Sequence, residues 1–215
     1  MIHQRHLRAR PARLPGGIRA DERASQLVEF AVALPLLVLF VVGIFDFSGA
    51  YTLKQKLTNI TRDAARVAAA DPATDLSNTC AGSACTAPAS VADAFNVVDN
   101  YLKANQISDC GVTASNLTSI GTLTWQYQVP PSGSPPCGIT LIINRGYVFP
   151  QTGATQPSVT CTQTTSIGSG NAVVGTCVSV QYTYNWKFGR VSSFFGSATT
   201  LPPQIPAIGV ALNEN

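Results

Sequence analysis

Histidine is almost missing from this chain of 215 residues. His3 and His6 are the only two, so nothing beyond position 6 supplies the usual general base of neutral-pH catalysis or an imidazole for a metal. The common Ser-His and Cys-His constellations are thereby removed from nearly the whole chain. Charge is scarce as well: 12% of residues are Asp, Glu, Lys or Arg, and the formal net charge is +3. Beyond Tyr51 the charges nearly balance among many Thr, Ser, Asn and Gln, which leaves little long-range attraction for nucleic acid. None of the six cysteines has the two-residue spacing of a zinc knuckle. Gly168-Ser169-Gly170 lacks the lysine and the strand-to-helix setting of a phosphate loop and reads as a turn. Asp71, Asp75, Asp93, Asp99 and Asp109 offer acid and base pairs in principle, but their positions near turns and helix faces suit capping or solvation better. No catalytic residue, no cofactor and no metal ligand is expected.

What the chain does contain is concentrated near its start. Leu27 to Phe45 is an apolar run of 19 residues, long enough as a helix, at about 1.5 Å per residue, to reach roughly the 30 Å of a bilayer's hydrocarbon core. One acid, Glu29, sits near its beginning. A carboxylate inside a membrane costs several kcal/mol unless it is paired, protonated or close to the interface. Before the run lies a leader, residues 1–24, with Arg5, Arg8, Arg10, Arg13, Arg19 and Arg23 against Asp21 and Glu22. Its formal charge of about +4 predicts a cytoplasmic N terminus and an external remainder. A nucleic-acid role for these arginines is disfavoured, because they lack interleaved aromatics and adjoin the span. The rival reading is a cleaved secretory signal with Ser48, Gly49 and Ala50 at the cut, but a signal's apolar core is typically about 7 to 15 residues and carries no acid.

Helical periodicity continues past the span. Leu53, Leu57, Ile60, Ala64 and Val67 alternate steps of four and three, with Lys54, Lys56, Asn59, Arg62 and Asp63 between them. This spacing predicts one helix over residues 25–70, kinked or loosened at Pro35, with Asp71 and Pro72 as its stop. An ordinary membrane anchor with a juxtamembrane helix shows the same period.

The string Arg23-Ala24-Ser25-Gln26-Leu27-Val28-Glu29-Phe30 resembles the prepilin-peptidase site of type IV-like pilins, with the cut between Ala24 and Ser25 and the acid at the fifth position after it. The new ammonium on Ser25 would then neutralise Glu29 of a neighbouring subunit; the alternative leaves Glu29 solvated at headgroup level. Val28-Glu29-Phe30-Ala31-Val32-Ala33-Leu34-Pro35-Leu36-Leu37, then Gly43-Ile44-Phe45-Asp46-Phe47, then Arg62-Asp63-Ala64-Ala65-Arg66, resemble in order the successive elements of the TadE-like family of tight-adherence (Tad, or Flp) pilus systems. Ala24 and Ala64 stand where that pattern more often has glycine. The resemblance implies a minor pilin or pseudopilin: a single-pass protein of the inner (cytoplasmic) membrane, needed for pilus assembly and in some cases built into the fibre. Its implied partners are a prepilin peptidase, other pilins or pseudopilins of the same system, and the membrane.

Residues 71–215 are long enough for one external domain with its own core. All six cysteines lie there, as suits an oxidising compartment. Fifteen connectivities are open. The local sequence favours Cys161 with Cys177; Cys80 with Cys85 would close a small loop, leaving Cys110 with Cys137. A second helix is expected near residues 88–105, with Val91, Ala94, Phe95, Val98 and Leu102 on one face. Strands are expected at 117–129 with a break near Gly121, at 139–147, at 172–186 and at 208–212. Pro130, Pro131, Pro135 and Pro136 mark a long turn, and Pro202, Pro203 and Pro206 break the approach to the last strand. Val178, Val180, Tyr182 and Tyr184 alternate with polar residues, which predicts an antiparallel sheet with one buried face. The fold class is α+β: a long N-terminal membrane and stalk helix, a second helix and a disulfide-containing antiparallel head.

Three function classes follow. The first is the structural pilus role. The second is a membrane-anchored external adhesin or binding module unrelated to pilus assembly, using Trp125, Tyr127, Tyr182, Tyr184 and Trp186 as a glycan-binding or surface-binding strip, although alternating aromatics are more often packing. The third is an extracytoplasmic enzyme, which the residue inventory disfavours.

Overall fold

A single helix, α1, runs from Ile18 to Ala70. Its 53 residues correspond to about 80 Å. In the computed structural model, residues 18–77, 86–149, 158–161, 173–187 and 201–214 are described, with side chains from Ser25 onward. The helix starts seven residues before Ser25, because Arg19, Ala20, Glu22 and Arg23 are good helix formers and the breakers Pro15, Gly16 and Gly17 lie just upstream. It runs through Pro35 without interruption. Its second half buries a stripe of Ala50, Leu57, Ile60, Ala64 and Ala68. Val67, expected on that stripe, is 37% exposed, whereas Ala68 is fully buried. A further step of four keeps the stripe in line with 3.6 residues per turn, and a step of three at this point rotates Val67 away from the core.

The second helix, α2, spans Ala89–Ala104 and buries Val91, Ala94, Phe95, Val98 and Leu102. Five strands follow: β1 Leu117–Gly121, β2 Thr124–Ser132, β3 Cys137–Val148, β4 Val174–Thr183 and β5 Gln204–Leu212. They form one antiparallel sheet in the order β1-β2-β3-β4-β5. The expected break near Gly121 is a tight reversal in which Gly121 pairs with Thr124 and Leu123 takes φ +57°.

Two expectations about proline are corrected. Strand β2 continues through Pro130 and Pro131 to Ser132, with an irregular register between Val129 and Ser132, so the turn is shorter than the prolines suggest. Strand β5 begins at Gln204 and contains Pro206, which pairs with Gln181. Both tolerances have a physical source: β5 is an edge strand, where a missing N–H on the outer side removes no ladder bond, and an irregular register frees the donor positions that proline lacks.

The helices cover one face of the sheet. Trp125, Tyr127, Ile139, Leu141, Ile143, Val178, Val180, Ile205 and Ala207 point into that core, and Phe95 of α2 stacks on Tyr127 with ring centroids 4.3 Å apart. The opposite face holds a smaller cluster of Ile142, Tyr147, Cys161 and Cys177. A register shift between Asn144 and Tyr147 reverses the side-chain alternation, so Arg145 faces the helices while Tyr147 faces the second cluster. Helix α1 lies against β5 so closely that a Cβ at Gly209 would strike the backbone of Thr61 and Arg62. Only a residue without a side chain permits that approach.

Two disulfides join Cys110 to Cys137 and Cys161 to Cys177, with Cα separations of 5.4 and 5.7 Å. The second ties residues 158–161 onto the sheet, helped by Ser179 Oγ donating to Val159 O (2.6 Å) and Asn144 Nδ2 donating to Cys161 O (2.8 Å). Cys80, Cys85 and the turn at Gly168 to Gly170 lie outside the described residues, as does the leader before Ile18.

Candidate membrane and assembly helix

The first half of α1 stands clear of the head. Leu27, Phe30, Phe40, Ile44 and Phe45 are all between 64 and 75% exposed, the opposite of what a soluble core helix shows. Among the described residues this is the one helix long and apolar enough to cross a membrane. An exposed apolar surface of this extent requires lipid or another protein as its cover. Glu29 is exposed on this surface, and Ser25 is exposed one turn before it. The Ala24–Ser25 peptide lies inside α1, in helical rather than extended backbone. Pro35 follows Glu29 farther along the apolar run and is half-buried.

Where the apolar run ends, α1 changes partners. Gly43 and Asp46 are buried while Ile44 and Phe45 between them point outward, the division that a helical step of three produces. The Tyr184 hydroxyl, just past β4, reaches both the Asp46 carbonyl oxygen and Asp46 Oδ1, each at 3.1 Å. Burial and the neighbouring Asp46 carboxylate both push the Tyr184 phenol above its ordinary range, burial contributing more. Gly49 makes room for this contact, since a Cβ there would come within 2.9 Å of the Tyr184 oxygen. Trp186 packs edge-on against Tyr184 (4.8 Å), meets Phe47 at 5.3 Å, and donates its indole N–H to Pro202 O at 2.7 Å. The head therefore grips α1 one residue after the exposed run stops. Nothing in the sequence periodicity singled out Asp46 or Tyr184 for this role; the only signal was the acid in Gly43-Ile44-Phe45-Asp46-Phe47.

The aromatic strip considered in the sequence is divided by the structure. Trp125 and Tyr127 are each 1% exposed and belong to the core. Burial raises the Tyr127 phenol to about 12. Only Tyr184 and Trp186 reach the rim beside α1.

Asp75, Asp99 and Asp109 have structural partners. Asp75 Oδ2 accepts from the Ser90 backbone N–H (2.8 Å) and so caps the start of α2 from a distant segment. Asp109 Oδ1 accepts from Gly111 N (2.9 Å), and Lys103 bridges Asp99 (2.6 Å) and Asp109 (3.5 Å). Among the described residues, no group of three His, Cys, Asp or Glu side chains is placed to hold a metal ion.

In Arg62-Asp63-Ala64-Ala65-Arg66 the two alanines are fully buried, and Asp63 and Arg66 face solvent 3.9 Å apart. Small residues here let α1 lie flat on its partners. Lys54, Thr58, Arg62 and Arg66 form one wall of an open groove along Pro206 to Val210 of β5.

Residues 24–66 match the family model for TadE-like protein. The match begins at the expected cut, contains the whole apolar run and the Asp46 contact, and stops before the sheet. No curated protein and no solved structure matches the chain. The chain thus carries a TadE-like domain built entirely from α1.

Proposed function

We propose that this chain is a TadE-like minor pilin or pseudopilin: a structural, non-enzymatic, single-pass membrane subunit needed to assemble a Tad/Flp-type pilus. The observation that carries the reading is the exposed apolar half of α1 with its one acid, Glu29, continuous with a half docked on a folded head and coinciding with the TadE-like match. In this reading the arginine-rich leader stays in the cytoplasm and the head lies outside. A prepilin peptidase cuts between Ala24 and Ser25, after a local unwinding of the first turns of α1. The freed ammonium on Ser25 pairs with Glu29 of a neighbouring pilin as α1 exchanges lipid for other subunits. Pro35 is where backbone hydrogen bonding is weakest along the segment that makes this exchange.

N-terminal sequencing of membrane-extracted protein tests the processing step, with Ser25 as the expected first residue. A start at Tyr51 overturns the proposal in favour of an ordinary secreted protein. Glu29→Gln tests the pairing: insertion is expected to survive, since a neutral amide is cheaper in lipid, while piliation falls. Normal piliation in that variant removes the pairing. The adhesin reading loses support from the burial of Trp125 and Tyr127, which withdraws two of the five aromatics of its strip from any external ligand.

A further inference from the structure

The contact between the head and α1 has a fixed position relative to the bilayer. If Leu27 to Phe45 fills the hydrocarbon, Phe45 lies at its outer boundary. Asp46 and Phe47 follow within about 3 Å along the axis. The headgroup layer extends about 5 to 7 Å beyond the hydrocarbon on each side. Any part of the head that touches Asp46 and Phe47 must therefore sit in that layer. The parts that do so are Tyr184, through its hydroxyl bonds to Asp46, and Trp186, through its ring against Phe47.

The chemistry of this rim suits the place. Tyr and Trp carry an apolar body with a polar tip and concentrate at membrane interfaces for that reason. Phe47 is 48% exposed, and Tyr51, one turn higher on the same side of α1, is 64% exposed. Lys187, next to Trp186, is exposed and cationic, as anionic headgroups favour. Asp46, the one group here that such headgroups would repel, is 5% exposed beneath Tyr184.

We propose that the rim formed by Tyr184, Trp186 and Lys187, together with Phe47 and Tyr51 of α1, is a lipid-headgroup docking surface. It sets the depth at which α1 sits in the membrane and stands the head upright on it. The proposal rests on the membrane-spanning reading above, and its test is built to separate the two. Before assembly the rim holds the head against lipid. Drawing the subunit out of the membrane must break these contacts along with those of the apolar run.

The chain has two tryptophans, Trp125 and Trp186. Trp125 is interior, so in Trp125→Phe the emission comes from the rim alone. The full-length variant is reconstituted into phosphatidylethanolamine and phosphatidylglycerol vesicles doped with phosphatidylcholine brominated either near the ester end or near the methyl end of its chains. The expected result is strong loss of Trp186 emission with the shallow bromines and little with the deep ones. A separate reporter, Leu36→Trp in a chain with both native tryptophans changed to Phe, should show the reverse. If Leu36→Trp is quenched by deep bromines but Trp186 by neither lipid, the docking surface is overturned and the span stands. Preferential quenching of Trp186 by the deep bromines likewise overturns it. If Leu36→Trp escapes both lipids, the span itself is overturned and the docking surface with it. Should Trp125→Phe fail to fold, the quenching lost between the parent protein and Trp186→Phe gives the same reading, because Trp125 is shielded in both.

Discussion

Arg145 of β3 donates from Nη2 to the carbonyl oxygen of Asp71, 2.9 Å away and one residue past the end of α1. Arg145 is 1% exposed, feels the charges of Asp75 and Asp71, and also donates from Nη1 to Thr176 Oγ1 at 3.4 Å. A cation at a helix C terminus satisfies a carbonyl that has no partner within the helix. Here it also fastens the stalk helix to the middle of the sheet.

Arg145→Leu is expected to lose about 3 kcal/mol, the scale of a charged hydrogen bond removed from a buried carbonyl. Arg145→Lys should recover only part of this, because an ammonium lacks the two-pronged geometry. Denaturant unfolding of the full chain in detergent checks both.

The Asp71 carboxyl is held above its ordinary 3.8, chiefly by burial, then by Asp93 and Asp75, with Arg145 opposing. A raised value in the folded state means that the folded protein binds this proton more tightly than the unfolded chain does. The contribution is full below the unfolded value and is lost as pH rises through the folded one. Asp71→Asn stays neutral throughout. It is expected to melt at higher temperature than the parent at pH 7, with the difference shrinking as the solution is acidified below the unfolded carboxylate range.

Gly209→Ala places a methyl group on the backbone of Thr61 and Arg62, which no rotamer change relieves. The helix must lift from β5, with an expected loss of about 1 to 3 kcal/mol. Gly121→Ala is the control, since its Cβ would meet only Thr124, at 3.8 Å. Thermal melts of the two variants should differ clearly.

Removing either disulfide by paired Cys→Ser changes should cost about 3 kcal/mol. Chain entropy alone ranks Cys110–Cys137, with a separation of 27, slightly above Cys161–Cys177, with 16. Cys161 and Cys177 are fully buried in an apolar cluster, however, so two serine hydroxyls there add a desolvation cost. The Cys161→Ser, Cys177→Ser pair is therefore expected to be the more damaging by equilibrium unfolding.

Much of this architecture was legible in the residues because it repeats. The α2 face from Val91 to Leu102 follows a 3.6 period and the β4 face through Val178 and Val180 a period of two, and each is buried as its spacing requires. The contacts that organise the molecule were not legible, because they join positions far apart. Tyr184 and Asp46 are separated by 138 residues, and Arg145 and Asp71 by 74. Arg145 follows an apolar run and precedes a glycine, so along the chain it resembles a solvated strand end; it keeps the helix-facing phase of Leu141 and Ile143, and only the end of α1 brought over it buries it. Pro206 was misleading for a related reason: whether proline is tolerated depends on which strand forms the edge, and that is settled by the whole sheet.

The tight seat of α1 on β5 also has a consequence for biogenesis. The helix is synthesised well before the strand that receives it, since α2 and the other four strands lie between Thr61 and Gly209. Leu57, Ile60 and Ala64 must therefore wait, uncovered, until translation has passed Leu212. Contacts this distant are slow to close. That interval is when the nascent chain is most exposed to proteolysis and to misassociation.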